Sequence, residues 1–522
     1  MILQNLHIIG QLGSDHNRGT KNRAKEKISL PFMILPGIFI LYCITAGYTI
    51  SHHELWGDEL HSWNIAKASN SLFELISNTK YEGHPPLWYF ILWTITLFTH
   101  DPTAMQVVHL FIACLLVFSI LFYSPFPLFI RFLLPFGYFF IFEYSIISRN
   151  YSIGILLAFI ICIIIHKQFK GKLLLYYFLL FLLANTHLLS LLLAASLHLY
   201  FLLLNNERTK SKKVIPHLLV GIIILLPAAY FIFPPSGSAL SPAFWTGKWN
   251  IGHISAIIQS PFRAFMPIPD WAEYNFWDTH FMISKGHIFS LPMWVVSLFS
   301  VGFIFLCILL LRSNKKCLAF FLFNLSLVSM ISIIIPFTNS RHIGFIFISL
   351  LVALWLYLYN NPVSKPQIRI LLTLLLFQLI GGAVAVSKDI KYVFSNSYQV
   401  KELLKKIPNE KPVTDYWCLN TLSAFTGKSY YCTDLQKEVS FLLWNSELAA
   451  AIKKNNRYSS GILSFMKKEQ VNTVFLLSTQ RLEKLRQMDD KLFSVFTVKL
   501  IDKREGAIEK GSNLYFYKIT SK

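Results

Sequence analysis

Residues 51–90 read SHHELWGDELHSWNIAKASNSLFELISNTKYEGHPPLWYF. They follow a basic tail and one hydrophobic run, and most of the chain beyond them up to residue 386 is hydrophobic run as well. The stretch carries adjacent carboxylates, Asp58 and Glu59, and two tryptophans of exposed type, Trp56 and Trp63. It ends in a His-Pro-Pro at 84–86, where the next hydrophobic run begins. Lipid offers charge no solvation, so an acidic pair at the edge of a bilayer points to function. The rest of the chain reads as a scaffold that holds this loop against a membrane surface.

Composition supports that reading. The 522 residues are 54% hydrophobic and 14% charged, with a mean hydropathy of +0.49. An ordinary soluble chain is roughly 25% charged. Uncharged runs of about 18 residues or more recur, each long enough to cross a bilayer as a helix. The net charge of +21 would suit nucleic acid, but the Lys and Arg fall in short clusters between hydrophobic runs, as cytoplasmic loops require. No nucleic-acid partner is expected. Cys43, Cys114, Cys162, Cys307 and Cys317 lie in or beside apolar runs and read as small core residues. Cys418 and Cys432 fall in a polar region and are free to pair if that region is extracytoplasmic.

Taken in order, residues 1–29 form a basic tail (Arg18, Lys21, Arg23, Lys25, Lys27), and 30–50 reads as an uncleaved first crossing with the N-terminus inside. Loop 51–84 is then outside. Apolar blocks follow at 85–99, 104–123, 125–142, 151–165, 173–186, 188–204 and 214–233, then, after a polar loop at 234–288, at 289–311, 317–336, 342–360 and 370–386. Basic clusters put four connections inside: Lys167, Lys170 and Lys172; Arg208, Lys210, Lys212 and Lys213; Arg312, Lys315 and Lys316; Lys365 and Arg369. Alternation puts Arg149, His187, loop 234–288, Arg341 and everything after 387 outside. Parity then demands that one of 85–99, 104–123 and 125–142 fails to cross. The last, with Pro127, Arg131, Pro135 and Gly137, is the least span-like. The expected fold is an all-α polytopic membrane protein of about 11 transmembrane helices over 30–387, with a small C-terminal α/β soluble domain over 388–522. In that domain, of about 130 residues, 471–478, 493–502 and 513–519 read as strands and 397–407 and 478–488 as amphipathic helices.

Six features carry candidate chemistry. Asp58 and Glu59 are either a general base with its partner or incidental loop acids. In Glu-Gly-His-Pro-Pro-Leu (82–87) the prolines start a helix, and His84 is a site residue or a cap. In EYSIISRNYSIG (143–154), Arg149 needs an anion, supplied by Glu143 or by a phosphate held bidentately; Tyr144 and Tyr151 flank them. In NSRHIGF (339–345), Arg341 and His342 sit at the outer end of a span. Two outer arginines suit a phosphodiester or diphosphate at the surface, or simply snorkel to headgroups. His187, after Asn185 and Thr186, reads first as a satisfied turn histidine. Loop 234–288, rich in Trp, Phe and Pro and carrying Asp270, Glu273, Asp278 and His280, reads as an interfacial helix pair covering the site.

Together, an outer D-E pair, H-P-P-L, S-R-N-Y, T-H and a late R-H at a span's outer end resemble the GT-C superfamily of integral membrane glycosyltransferases. The nearest likeness is to bacterial relatives of the protein O-mannosyltransferases and of the lipid A aminoarabinose transferase, over roughly residues 30–386. The resemblance implies a bacterial inner-membrane enzyme with its C-terminal domain in the periplasm. Its donor would be a polyprenyl-phosphate sugar, and its acceptor a lipid, glycan or protein, with membrane lipids around it. Asp58 would deprotonate the acceptor, Glu59 assist, Arg149 and Arg341 bind the donor phosphate, and His84, Tyr151, His187 and His342 line the pocket. Transfer would invert the anomeric carbon. Some relatives use a divalent metal; no ligand cluster here assigns one, so no cofactor is assigned and a divalent metal stays open. The alternative is a transporter or flippase of a lipid-linked sugar, which calls for mid-bilayer charge pairs and repeated halves.

Overall fold

The computed structural model describes residues 30–209, 214–233, 235–240, 251–284, 289–335, 339–454 and 456–522. The basic tail 1–29, the lysines at 210, 212 and 213, and residues 241–250 and 285–288 of the aromatic loop lie outside the described residues.

The described chain is mostly helical. Its first part holds α1 (Leu30–His52), α2 (Gly57–Ala68), α3 (Leu72–Thr79), α4 (Leu87–Thr96), α5 (Ala104–Tyr123) and the short α6 (Leu128–Leu133). There follow α7 (Tyr151–His166), α8 (Lys172–Ala184), α9 (Leu188–Thr209) and α10 (Val214–Ile232). The aromatic loop contributes α11 (Ile251–Phe265), and the last bundle helices are α12 (Met293–Leu311), α13 (Lys315–Ile334), α14 (Ser340–Leu358) and α15 (Lys365–Lys391). Eight helices, α1, α5, α9, α10 and α12 to α15, are long and apolar enough to cross a membrane; α4, α7 and α8 are shorter apolar helices.

Side-chain contacts show which helix ends lie together. At one end, Gln106 at the start of α5 donates to the carbonyls of Ile50 and His53 at 3.3 and 2.8 Å. There too, Leu87 N donates to Asn185 O at 3.2 Å, and His53 meets Asp389 at the end of α15. At the other end, Lys167 lies over Tyr123, His166 stacks on Tyr359, and Gln367 reaches Leu310 O at 2.8 Å. Every described basic cluster expected inside falls at this second end.

These contacts identify the block that breaks the alternation. Both flanks of α4 sit at the first end, and its ten residues rise only about 15 Å. The stretch 124–150, in contrast, begins at the second end and returns to the first. It does so as α6, one 3-10 turn over Leu134–Phe136 and one π turn over Phe139–Glu143. Pro127 and Pro135 lack the N–H a continuous helix needs there. The neighbouring α15 carries Gly381 and Gly382 where the backbone of Phe136 and Pro267 approaches too closely for a Cβ. The aromatic loop differs from expectation as well: its described part contains the single helix α11 rather than a helix pair. That helix packs into the bundle, with Phe262 N bonded to Ser300 Oγ of α12 at 3.1 Å and Ala264 O to Gln378 of α15 at 2.9 Å.

After α15 the chain enters an α/β unit with a six-stranded sheet in the order β3-β2-β1-β4-β6-β5. The strands are β1 (Val413–Thr414), β2 (Tyr430–Cys432), β3 (Lys437–Val439), β4 (Thr473–Ser478), β5 (Phe496–Arg504) and β6 (Leu514–Ser521). β1 runs parallel to β2 and β4, and the other pairs are antiparallel. The three strands read from sequence are β4, β5 and β6; β1 to β3 are too short to show an alternating pattern. Of the expected helices, 397–407 is a 3-10 turn followed by Val400–Leu404, and 478–488 narrows to Leu482–Met488. Cys418 and Cys432 are both buried free thiols, so the pairing left open by the sequence is not made. The unit rests directly on loop 51–84. Its helix α17 (Tyr416–Thr426), which follows the short α16 (Val400–Leu404), donates Ala424 to the apolar cluster of Leu55, Leu60 and Trp63, and Asn64 Nδ2 donates to Asn420 O at 2.9 Å.

Candidate active site

The site begins with α2, which leaves the membrane-edge turn after His53. Trp56 is its N-cap, and the Glu59 carboxylate reaches back to Trp56 N at 2.9 Å, satisfying a donor that the first helical turn leaves open. The other Glu59 oxygen accepts Ser148 N at 2.5 Å. Glu59 is fully buried, with His53 3.9 Å away. It therefore fastens α2 to the 143–150 stretch and does not face open space. Both tryptophans are covered: Trp63 is wholly buried in the cluster that Ala424 of the α/β unit joins, and Trp56 is nearly so, packed edge-on to Trp277 at 5.0 Å.

One residue earlier, about 100° around the helix, Asp58 is 43% exposed. Its carboxylate lies 3.5 Å from Arg341 Nη2. Arg341 is held between two indoles, 5.3 Å from Trp56 and 5.4 Å from Trp277, an arrangement favourable to a cation over aromatic faces. Arg149 donates to Asp58 O at 2.6 Å and to Ser62 Oγ at 3.1 Å. Of the two anions offered to it by sequence, Glu143 is not the partner: that carboxylate accepts from Tyr138 at 2.8 Å and Trp277 at 3.3 Å. Arg341 Nε and Nη1 and Arg149 Nε are buried without a hydrogen-bond partner among the described residues.

A cavity of about 200 Å³ is lined by Asp58, His84, Arg149, Tyr151, Arg341 and His342 together. Its remaining wall includes Leu188, Ile232 and Ile335 at the ends of α9, α10 and α13. Six of the eight residues singled out by sequence thus share one space. His84 sits in the turn that Gly83 makes at φ +66°. Burial, then the nearby Arg149 and Arg341 charges, push its imidazole down to about 3, so it stays neutral. Glu59 and His187 do not line the cavity. His187 bonds Ser190 Oγ at 2.8 Å and packs against Tyr151 from behind, ring centroids 4.8 Å apart, which is the turn-histidine role.

Two residues escaped the sequence reading, Glu82 in the lining of this cavity and His61 bonded behind it. Glu82 is buried, accepts from His61 Nε2 at 2.8 Å and from Tyr89 at 3.3 Å, and leaves Oε1 unpartnered. His61 stands three residues after Asp58 on α2, on the same helix face. Burial opposes protonation of its ring, but the Glu82 carboxylate outweighs it and raises the pKa. The usable signal was an acid in the outer loop two residues before His84, at a depth where charge is costly. Among the described residues, no three or more His, Cys, Asp or Glu side chains converge as a metal ligand set.

No family model matches the chain, and no curated protein matches it.

Proposed function

We propose that the protein is an integral membrane glycosyltransferase that moves a sugar from a polyprenyl-phosphate donor to an acceptor at the outer face of the membrane. One observation carries the reading: a carboxylate and two guanidinium groups, distant along the chain, converge on one cavity at the ends of three apolar helices. The donor's lipid tail lies along those helix ends. Its phosphate takes the open edges of Arg341 and Arg149, where planar guanidinium donors match phosphate oxygens. Asp58 accepts the proton of the acceptor hydroxyl as its oxygen attacks the anomeric carbon. The carbon–oxygen bond to phosphate breaks on the opposite side, and the lipid phosphate departs with the electron pair, stabilised by the two arginines. A single displacement inverts the anomeric carbon. The phosphate displaces Asp58 from Arg341, which frees the base when the donor binds.

In this reading α1, α5, the broken stretch 124–150, α7 to α10 and α12 to α15 make about eleven passages, the GT-C arrangement, while α4 and α11 enter from the outer side and do not cross. With the N-terminus inside, the α/β unit lies outside, in the periplasm of a bacterium. Buried charge gathers at the outer helix ends, which suits catalysis at the surface better than carriage through the bilayer.

Membranes containing the full chain, given labelled polyprenyl-phosphate sugar, are expected to move label to endogenous acceptor. Asp58→Asn, matched for expression, abolishes transfer, a loss of at least about a thousandfold. Undiminished transfer by that variant removes Asp58 from the mechanism. Uptake of intact donor into proteoliposomes with no covalent product replaces the transferase with a transporter.

A further inference from the structure

A second cavity, of about 170 Å³, shares Asp58, Glu82, His84 and Arg149 with the first but continues away from the bundle. Its far wall is the α/β unit: Tyr416, Trp417 and Asn420 of α17, then Leu442 and Trp444 of the following connection. We propose that this wall is the acceptor subsite, that the acceptor is a hydroxyl-rich oligosaccharide, and that Trp417 and Trp444 are the platforms on which its sugar rings stack.

Four observations lead there. Trp417 is 50% exposed on a helix whose other face is buried against α2, so its indole face is held open to the cavity mouth. Trp444 is fixed from the opposite side, because its carbonyl accepts Ala239 N at 3.0 Å and Ser238 Oγ, and its ring lies 6.0 Å from His61. Glu82 Oε1 is buried and unpartnered, and Glu82 lines both cavities. An orphaned buried carboxylate oxygen is costly until a donor arrives, and a sugar hydroxyl is such a donor. Finally, Asp58 lies on both cavities, and Arg341 lines only the first, so a hydroxyl entering from the α/β side reaches Asp58 without passing Arg341.

The chemistry selects among acceptors. Sugar rings present a C–H face that packs on an indole and a rim of hydroxyls that needs fixed polar partners, which is what this wall offers. A lipid acceptor would need a continuous apolar trough, whereas Glu82, His61, Asn420 and Arg149 interrupt the lining. A peptide that docks by strand addition would need a free strand edge, yet every lining residue belongs to a helix, turn or irregular segment.

This inference rests on the transferase reading for its chemistry, but binding can be measured apart from transfer. The full-length protein in nanodiscs is titrated calorimetrically with neutral linear tetrasaccharides of mannose, glucose and N-acetylglucosamine. At least one is expected to bind, with affinity about tenfold weaker in Trp417→Ala and largely restored in Trp417→Phe. In the transfer assay the same variant raises the acceptor KM by a similar factor and leaves the donor KM unchanged. Tetrasaccharide binding that depends on Trp417 without any transfer keeps the subsite and overturns the transferase. Transfer to a peptide or lipid acceptor with an acceptor KM indifferent to Trp417 keeps the transferase and overturns the subsite. Binding by none of the three sugars also overturns it. Because Trp417 is half exposed, its replacement leaves the fold intact, and an unchanged elution profile of the variant verifies that.

Discussion

The two ends of the helix bundle handle charge in opposite ways. At the end marked by Lys167, Lys170, Arg312, Lys365 and Arg369, the cations are exposed. At the other end, His53, Glu59, Glu82, Glu143, Arg149 and Asp389 are all buried. Taking an ion out of water costs several kcal/mol unless it is paired and hydrogen-bonded, and these groups are: Glu59 to two backbone amides, His53 to Asp389, Arg149 to Asp58 O. The exposed basic residues named here thus gather at one end of the bundle. The candidate site lies at the other end, where charges are few and held, and Glu82 Oε1 has no hydrogen-bond partner among the described residues.

The largest way to break that contrast is at Arg341. Its Nε and Nη1 are buried without partners among the described residues, so in the proposed reaction removing it takes away the group best placed to meet the departing phosphate. Arg341→Ala is expected to lower transfer by about a hundred- to a thousandfold, the range for losing one strong electrostatic contact in a transition state. Arg341→Lys should fall between the two, because a lysine keeps the charge and its stacking distance poorly and loses the planar fork. Steady-state rates in membranes of matched protein content decide it. An Arg341→Ala enzyme within a few-fold of the parent makes the buried cation a piece of architecture.

Much of this end was legible in the sequence, and the parts that were not share a physical cause. Charges in a nearly charge-free chain announce themselves, so Asp58, Arg149, Arg341 and His84 could be found without knowing where they meet. What the sequence does not carry is direction. Asp58 and Glu59 read as one acidic pair, yet a helix turns neighbours about 100° apart, sending one carboxylate to the cavity and sealing the other against Ser148. The tryptophans at 56 and 63 read as exposed because nothing in their own stretch predicts that α17, over 350 residues later, covers Trp63, or that Trp277 covers Trp56. Block 85–99 reads as a span by apolarity, but α4 ends after ten residues. The proline-broken 124–150 is the stretch that runs from one end of the bundle to the other, with Phe136 O close against Gly382 of α15. Strands β1 to β3 have two or three residues each, too few for any periodicity to register.

A smaller effect is expected at His53, which ties α1 to α15 through Asp389 at 3.1 Å. Burial alone would lower its pKa, but the Asp389 carboxylate, then that of Glu59, raise it to about 10. A folded pKa above the unfolded value means stability gained by protonation. The gain is complete below about 6.5, the ordinary value, and is lost as pH climbs through about 10. Asp389→Asn removes the main anion and is expected to cost about 2–3 kcal/mol at pH 6, since a buried cation is left short of its partner. The gap between parent and variant should close as pH approaches 10. Thermal unfolding in detergent at several pH values reads this directly; a gap that widens toward alkaline pH reverses the sign and removes His53 as the protonated member.

The smallest effect belongs to the exposed end, and it is the one that sharpens the contrast. Lys170 and Arg369 are both exposed. Surface charges of this kind contribute little to stability, and neither lies on the cavity. Lys170→Ala and Arg369→Ala should each leave transfer and thermal stability unchanged within about a factor of two, or about 0.5 kcal/mol. What they should change is sidedness, because basic residues near helix ends set which side of a membrane a loop occupies. Replacing Lys167, Lys170, Arg312, Lys365 and Arg369 together is expected to yield a fraction of molecules in which a cysteine placed at residue 170 reacts with an impermeant maleimide from the wrong side, while correctly inserted molecules keep full activity. If the single replacements lower transfer as much as Arg341→Ala does, charge acts through the molecule's overall field and the distinction between its two ends disappears.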